Sequence, residues 1–405
     1  RALPDQSKRG SAAAGAFRLA PQPGLRRQSG RVVDSGPVVA EITHVPRVSV
    51  IMPVYNGQMY IGEAIESVIA QTLQDWELII IDDGSTDHTA EIIHGYDDRR
   101  IRYFHQVNMG RSAARNNALE MATGQYIVFL DADDLLMSTA IESNLKTLAK
   151  SNDCGVVYSD GYFCDRHGNP VARLSDYRTE NATGAVIGYL LVEPVLNASN
   201  CAMVSRSIIV ENGIRYEDSM ICAEDWAFWA MVAGQTEFAY NPDITCKYRI
   251  HDSNTTFQHK QQCEMAKAML RMRHLRSPFF DSVPMAKRIV FFYQVLFESF
   301  PDNPSKQVEI IDTPQFNSLD HISRGRILGL LAAHWLGNRT ASKQMVQSML
   351  DRAARANNKD KKTKILLMAF RLSPFMAQRM LQLWRGIGNS GSDEVNSMFD
   401  RVHLA

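Results

Sequence analysis

Between Arg47 and Asp134 the chain repeats one pattern: a continuously apolar run, a polar turn, then a stretch with helical spacing. RVSVIMPVYN leads into YIGEAIESVIAQT, and WELIIIDDGS into a helix from Thr86 to about Gly95. IRYFHQ leads into GRSAARNNALEMATG, and YIVFLDADD into a helix from Ser138. Runs that are apolar at every position are strands covered on both faces, and strands separated by helices pair in parallel. The chain is therefore expected to build an α/β domain, a mostly parallel sheet flanked by helices. GVVYSDGYF reads as a fifth strand, CAMVSRSIIV as a strand running into a helix, AEDWAFWAMVAG as a short helix and EFAYNPDITCKYRIH as extended. Beyond about residue 260 the strand signals stop and amphipathic helices follow. Residues 1–46, rich in Ala, Gly, Pro, Ser and Arg without periodicity, read as a disordered leader. The expected organisation is thus leader 1–46, α/β domain 47–260 and helical region 261–405.

Lys+Arg and Asp+Glu balance at 44 each, so no nucleic acid or other polyanion is expected as partner. The six cysteines, Cys154, Cys164, Cys201, Cys222, Cys246 and Cys263, include no CxxC pair. They read as reduced, mostly buried thiols of a cytoplasmic protein. The longest apolar runs, IVFFYQVLF and ILGLLAAHWL, reach about half of the roughly 20 residues a membrane span needs.

Ligands of parallel sheets sit beyond the carboxyl ends of the strands, and there this sequence concentrates its polar residues. The first strand ends in PVYN (Pro53, Tyr55 and Asn56 among them), the second in DDGSTD from Asp82 and Asp83, the fourth in DADD. PVYN alone is an ordinary turn, and DDGSTD alone is a helix cap, since Asp, Ser and Thr satisfy free amides. Asp131, Asp133 and Asp134 are harder to absorb, because a cap needs one carboxylate and three so close repel. A divalent cation between them would relieve that repulsion, and hard oxygen ligands suit Mg²⁺ or Mn²⁺.

VSVIMPVYNG, ELIIIDDGSTD, NMGRSAARNNAL, YIVFLDADD, AEDWAFW and YRIHDSNTT, in this order over about residues 47–255, resemble the family 2 glycosyltransferases. That resemblance implies a GT-A, Rossmann-like nucleotide-diphospho-sugar fold and an inverting, metal-dependent transfer from a nucleotide-diphosphate sugar, a UDP-sugar in the first instance. The acceptor would be a carbohydrate or lipid-linked hydroxyl, in polysaccharide or glycolipid biosynthesis. It also implies residue roles. Pro53, Tyr55 and Asn56 line the base pocket, with Tyr55 stacking on the base. Asp82 or Asp83 accepts the pyrimidine N–H. Asn108, Gly110, Arg111 and Arg115 surround the nucleotide and its sugar. Asp131 and Asp133 form the DxD pair, with Asp133 the direct metal ligand and Asp134 in support. Arg249 and His251 belong to a loop over the diphosphate, and His251 also reaches the metal. Asp225 is the general base and Glu224 its neighbour.

Each role has a plainer counterpart. Glu224 and Asp225 at a helix start also simply suit the helix dipole. Such a position lowers a carboxylate pKa and weakens a base, an effect that desolvation by Trp226 and Trp229 would reverse. Two rival readings stand beside glycosyl transfer. A sugar-1-phosphate nucleotidyltransferase would want a basic, Gly-rich loop after its first strand, and PVYNGQMYIGEA has no Lys or Arg. A catalytically inactive nucleotide-sugar-binding protein would not need DADD, ED and RIH together. In the helical region Lys359–Gly386 mixes a basic lead with Leu, Met, Phe and Trp. It suits a helix packed on the protein and, as a second reading, peripheral contact with the cytoplasmic membrane face.

Overall fold

The structure, a computed structural model, describes residues 33–34, 44–151, 153–178, 180–196, 198–357, 364, 366–369, 373 and 377. Its strands are β1 (Val33–Asp34), β2 (Val48–Val54), β3 (Trp76–Asp82), β4 (Ile101–His105), β5 (Tyr126–Phe129), β6 (Leu135–Leu136), β7 (Cys154–Cys164), β8 (Pro170–Arg173), β9 (Ala202–Ser205) and β10 (Glu237–Arg249). Helices α1 (Ile61–Ile69), α2 (Thr89–His94), α3 (Arg111–Met121) and α4 (Ala140–Lys150) connect the first strands. Shorter α5 (Ile187–Leu190) and α6 (Arg206–Glu211) precede α7 (Glu224–Ala233).

The sheet order is β1-β4-β3-β2-β5-β9-β7-β10-β6, with β8 beside β7. Strands β4, β3, β2 and β5 run parallel, as the repeated pattern requires. β9 runs against both β5 and β7, and β7 pairs in parallel with β10, so the whole sheet is mixed. Every residue of β2 and β3 is buried, which is why both read as continuously apolar. Pro53 is tolerated in β2 although it lacks an N–H. The Ile51 carbonyl accepts from Leu130 N–H, so Pro53 faces the same neighbour beyond the end of β5, where no donor is required. Gly124 is required before β5, since a Cβ there would lie 2.5 Å from the Ser49 nitrogen.

Most of the expected leader lies outside the described residues. Within it Val33–Asp34 are described: they add to the edge of the sheet, Val33 opposite His105 and Asp34 opposite Phe104. A two-residue strand is too short to show any periodicity.

After β10 all described elements are helical: α8 (Thr255–Gln258), α9 (Lys260–Leu275), α10 (Met285–Tyr293), a π-helical turn over Gln294–Ser299, α11 (Pro304–Ile311), α12 (Pro314–Asn317), α13 (His321–Asn338) and α14 (Lys343–Ala356). Phe280, Phe291, Phe292 and Phe316 meet edge to face at their centre. Among the described residues no helix is long and apolar enough to cross a membrane. Lys359–Gly386 lies mostly outside them; of its described residues Leu366, Leu367, Ala369 and Ala377 are buried.

The cysteines need a correction. Cys222 and Cys263 form a disulfide across 41 residues, and only Cys154, Cys164, Cys201 and Cys246 are free. No spacing announces the pair, because it exists only once α9 packs beside the start of α7.

Candidate active site

The carboxyl ends of β2 and β3 are joined by side chains from their own turns. Asn56, at φ 52°, accepts Thr86 N–H at 2.8 Å, and its own N–H donates to the Ser85 hydroxyl at 2.9 Å. Left-handed backbone is a conformation Asn tolerates. Asp82 is buried and accepts Ser85 N–H and the Tyr103 hydroxyl, both at 2.8 Å. Asp83 accepts Met109 N–H and Gly110 N–H at 2.8 Å and the Gln106 amide at 2.7 Å. Asp83 thus fixes the 106–110 segment, Asn108 included, that launches α3. A Cβ on Gly84 would come within 2.9 Å of the Asn108 nitrogen, so the close approach depends on glycine there. Pro53 is buried beneath this edge, whereas Tyr55 is 54% exposed at its mouth.

The three carboxylates after β5 separate, each to its own partner. Asp131 accepts Arg115 Nη2 at 2.6 Å, and Asp133 lies 3.0 Å from His251 Nε2. Asp134, buried, accepts the Arg249 N–H at 2.8 Å and the Asn200 amide at 3.0 Å. Burial, and then the charges of Asp133 and Asp131, hold the Asp134 carboxyl well above the usual range. Repulsion within the turn is therefore handled by protein groups, one carboxylate at a time.

Arg249 does not present its guanidinium to the site. It is 1% exposed, with Nε on the Asp133 carbonyl at 2.8 Å, Nη1 on the Arg166 carbonyl at 2.8 Å and Nη2 on Glu63 at 2.7 Å. Its geometry is that of a strut under the 249–254 loop. His251 stands on that strut, its Nδ1 2.7 Å from the Ser253 hydroxyl and its ring 5.0 Å from that of Tyr60. Nε2 is left towards Asp133.

Helix α7 brings the second pair of acids. Ala223, at φ 59°, turns the chain so that Glu224 and Asp225 open the helix. Glu224 is 1% exposed and is gripped by Arg111 Nε at 2.6 Å and Arg115 Nη1 at 3.1 Å. Arg115, equally buried, therefore links Asp131 on one side of the site to Glu224 on the other. Burial alone would lower its pKa, but Asp131 first, with Tyr216, Asp225 and Glu224, raises it well above the ordinary value. Asp225 is half-buried and accepts the Ser199 hydroxyl at 3.3 Å.

The two neighbours titrate apart. Burial, and then Asp225, push Glu224 up to about 7 against the pull of the two arginines. Burial also acts to raise Asp225, but Arg115, Arg111 and a hydrogen bond with Glu224 outweigh it and hold the carboxyl below its ordinary value. Trp226 and Trp229 do not provide the expected reversal. Trp226 Nε1 donates to the Leu190 carbonyl, and Trp229 packs against Phe129 and Phe238. Guanidinium charge, not indole desolvation, sets this carboxylate.

A metal finds a partial donor set here. Asp133 and His251 offer an oxygen and an oriented imidazole nitrogen, and Asp131 shares their turn. Among the described residues no three His, Cys, Asp or Glu side chains are already gathered as a set of ligands. Several groups in the site carried no sequence signal: Tyr60 and Glu63 under the His251 loop, Ser199 and Asn200 between the acidic pairs, and Tyr216 beside Arg115. They lie in ordinary helix and turn sequence, and only the tertiary approach makes them neighbours.

A family model for Glycosyl transferase family 2 matches residues 49–211. An uncharacterized glycosyltransferase of Methanocaldococcus jannaschii is 30% identical over 263 residues, covering 63% of this chain and 88% of that protein. One from Rickettsia felis is 33% identical over 221 residues, covering 54% of this chain but only 35% of its own length. Among solved structures, S. aureus TarS 1-349 in complex with UDP-GlcNAc is 17% identical with a TM-score of 0.49, covering 84% of this chain and 92% of that one. The chain belongs to glycosyl transferase family 2.

Proposed function

We propose that this protein moves a sugar from a nucleotide-diphosphate donor, a UDP-sugar, to an acceptor hydroxyl with inversion at the anomeric carbon. The observation that carries the reading is the Arg115 bridge, which holds the Asp131–Asp134 turn and the Glu224–Asp225 pair on either side of one site. The fixed β2 and β3 turns supply the nucleotide end. Tyr55 offers an exposed ring for the base, Asp82 and Asp83 each keep lone pairs for a pyrimidine N–H, and Pro53 and Asn56 shape the floor. Arg111 and Arg115 lie towards the donor sugar.

Asp133 and His251, with Asp131, would hold Mg²⁺ or Mn²⁺, their oxygen and imidazole donors suiting either ion. When bound, such an ion supplies Lewis-acid stabilisation to the diphosphate oxygens. Arg249 keeps the His251 loop in place from beneath. Asp225 takes the acceptor proton as the new C–O bond forms and the bond to the diphosphate breaks. Its lowered pKa keeps it ionised at neutral pH, ready to accept. Glu224, with its raised pKa, anchors both arginines beside it. The acceptor is read as a carbohydrate or lipid-linked hydroxyl of polysaccharide or glycolipid biosynthesis.

The test is nucleotide release from a panel of UDP-, GDP- and dTDP-sugars in the presence of Mn²⁺. Asp225→Asn is expected to lower turnover at least about a thousandfold while nucleotide affinity stays within threefold, given the roles of base and binding groups. Loss of nucleotide binding in that variant would remove Asp225 from the role of base.

A further inference from the structure

The short turn before β9 carries two polar side chains that reach the two acidic pairs of the site. Ser199 Oγ donates to Asp225 Oδ2 at 3.3 Å, and Asn200 Nδ2 donates to Asp134 Oδ2 at 3.0 Å. Ser199 belongs to none of the motifs that pointed to glycosyl transfer. We propose that Ser199 is a positioning residue for the transfer reaction, its hydroxyl held by Trp229 so that its proton points at the Asp225 carboxylate. The proposal rests on the reading of Asp225 as base and adds the group that orients it.

A serine hydroxyl can donate or accept, and its neighbours decide which. Trp229 Nε1 lies 3.3 Å from Ser199 Oγ, and an indole N–H can only donate. Ser199 Oγ therefore accepts from Trp229, and its own hydrogen is turned to the ionised carboxylate, which only accepts. Trp229 lies four residues after Asp225 on α7, so indole and carboxylate sit one turn apart on the same face. The hydroxyl bridges them. The indole itself has little freedom, being buried and packed edge-on against Phe129, Phe228 and Phe238.

The turn is as firmly held. Ser199–Cys201 form a single 3-10 turn, with Cys201 N–H on the Ala198 carbonyl at 3.3 Å. The Cys201 carbonyl accepts the Ser159 hydroxyl at 2.8 Å, and Ala202 then pairs with Tyr158 in the sheet. Ser199 and Asn200 are both buried. The arginines nearby ionise Asp225 but direct their hydrogen bonds elsewhere: Arg115 to Asp131 and Glu224, Arg111 to Glu224, Ile221 and Thr255. Charge acts at a distance without fixing the rotation of a carboxylate, whereas a directed O–H does fix it. Contacts of 3.3 Å are long, as catalytic hydrogen bonds commonly are before substrate binds and tightens them.

The experiment is a double-mutant cycle of Ser199→Ala and Asp225→Asn, read as nucleotide release from the sugar nucleotide that wild type turns over best, with Mn²⁺. Ser199→Ala should lower kcat about tenfold and leave donor KM within about twofold, because the hydroxyl acts on the base and not on the donor. On the Asp225→Asn background it should lower kcat by less than about twofold, since no base remains for it to orient. Tm should fall equally in both backgrounds, because each loses the partner of the Trp229 indole. That separates stability from the effect on turnover. A kcat equal to wild type, a rise in donor KM that matches the change in kcat, a further fall of about tenfold on the Asp225→Asn background, or a Ser199→Ala chain that does not fold overturns the proposal and leaves glycosyl transfer standing. Wild type inert on every sugar nucleotide tested overturns the transfer reading itself, and this assignment with it.

Discussion

Glu224 and Asp225 are adjacent acids that the site drives in opposite directions, and that contrast has a measurable consequence. Glu224 is raised from 4.5 to about 7, so it stabilises the fold fully below pH 4.5 and progressively less as pH rises to 7. Asp225 is held below 3.8, so its contribution is present above that value and fades only as pH falls through its folded pKa. Between pH 4.5 and 7 Glu224 alone of the two titrates. Glu224→Gln is therefore expected to flatten the decline of Tm across about pH 4.5 to 7, read by thermal melts in a buffer series. An unchanged slope would mean that Glu224 keeps an ordinary carboxyl pKa in the folded protein. At this scale the sequence was an uneven guide. DADD and ED were legible as chemistry, yet the partner of each carboxylate was not. Arg249 reads like a phosphate arm and stands as a buried strut, because which way an arginine points depends on Glu63 and Arg166, far from it along the chain.

The connection between Cys222 and Cys263 is the main surprise among the elements. It ties the segment just before α7 to the first turn of α9, next to the Ile221 carbonyl that accepts Arg111 Nη2 at 2.7 Å. Closing 41 residues of chain should stabilise the fold by about 3 to 4 kcal/mol on the chain-entropy account. Urea unfolding with and without a phosphine reductant checks this. The midpoint should fall on reduction, and Cys263→Ser should reproduce the reduced curve without responding further to reductant. The elements themselves were largely readable. Continuous apolar runs marked β2 and β3 because both faces of a central parallel strand are buried. The antiparallel insertion of β9 between β5 and β7 was not, since a four-residue strand carries no signal about which neighbours it will pair with.

At the scale of the whole molecule, contacts cross the expected boundary near residue 260. The His274 ring nitrogen meets the Leu191 carbonyl at 2.9 Å, Arg273 pairs with Glu217, and Lys287 pairs with Glu193. Gly188 packs so closely that a Cβ there would lie 2.4 Å from the Ser282 carbonyl oxygen. A chain ending at residue 260 would expose these surfaces and leave Cys222 unpaired. It is expected to lose cooperative unfolding, while the full chain unfolds in one transition by both tryptophan fluorescence and far-UV circular dichroism. Two separated transitions in the full chain would show instead that the helical region is an independent unit.

The sequence by itself determined the parallel α/β core, the edge at which polar residues gather, and the family resemblance, because burial periodicity and strand-end chemistry are local properties of the chain. Tertiary structure alone decided that Arg115 joins two acidic pairs, that α9 is bonded to the start of α7, and that Tyr216, outside every motif, packs beneath the Arg115 guanidinium. Charge pairing, disulfide closure and aromatic stacking depend on distances between residues remote in sequence, and those distances exist only after the chain has packed.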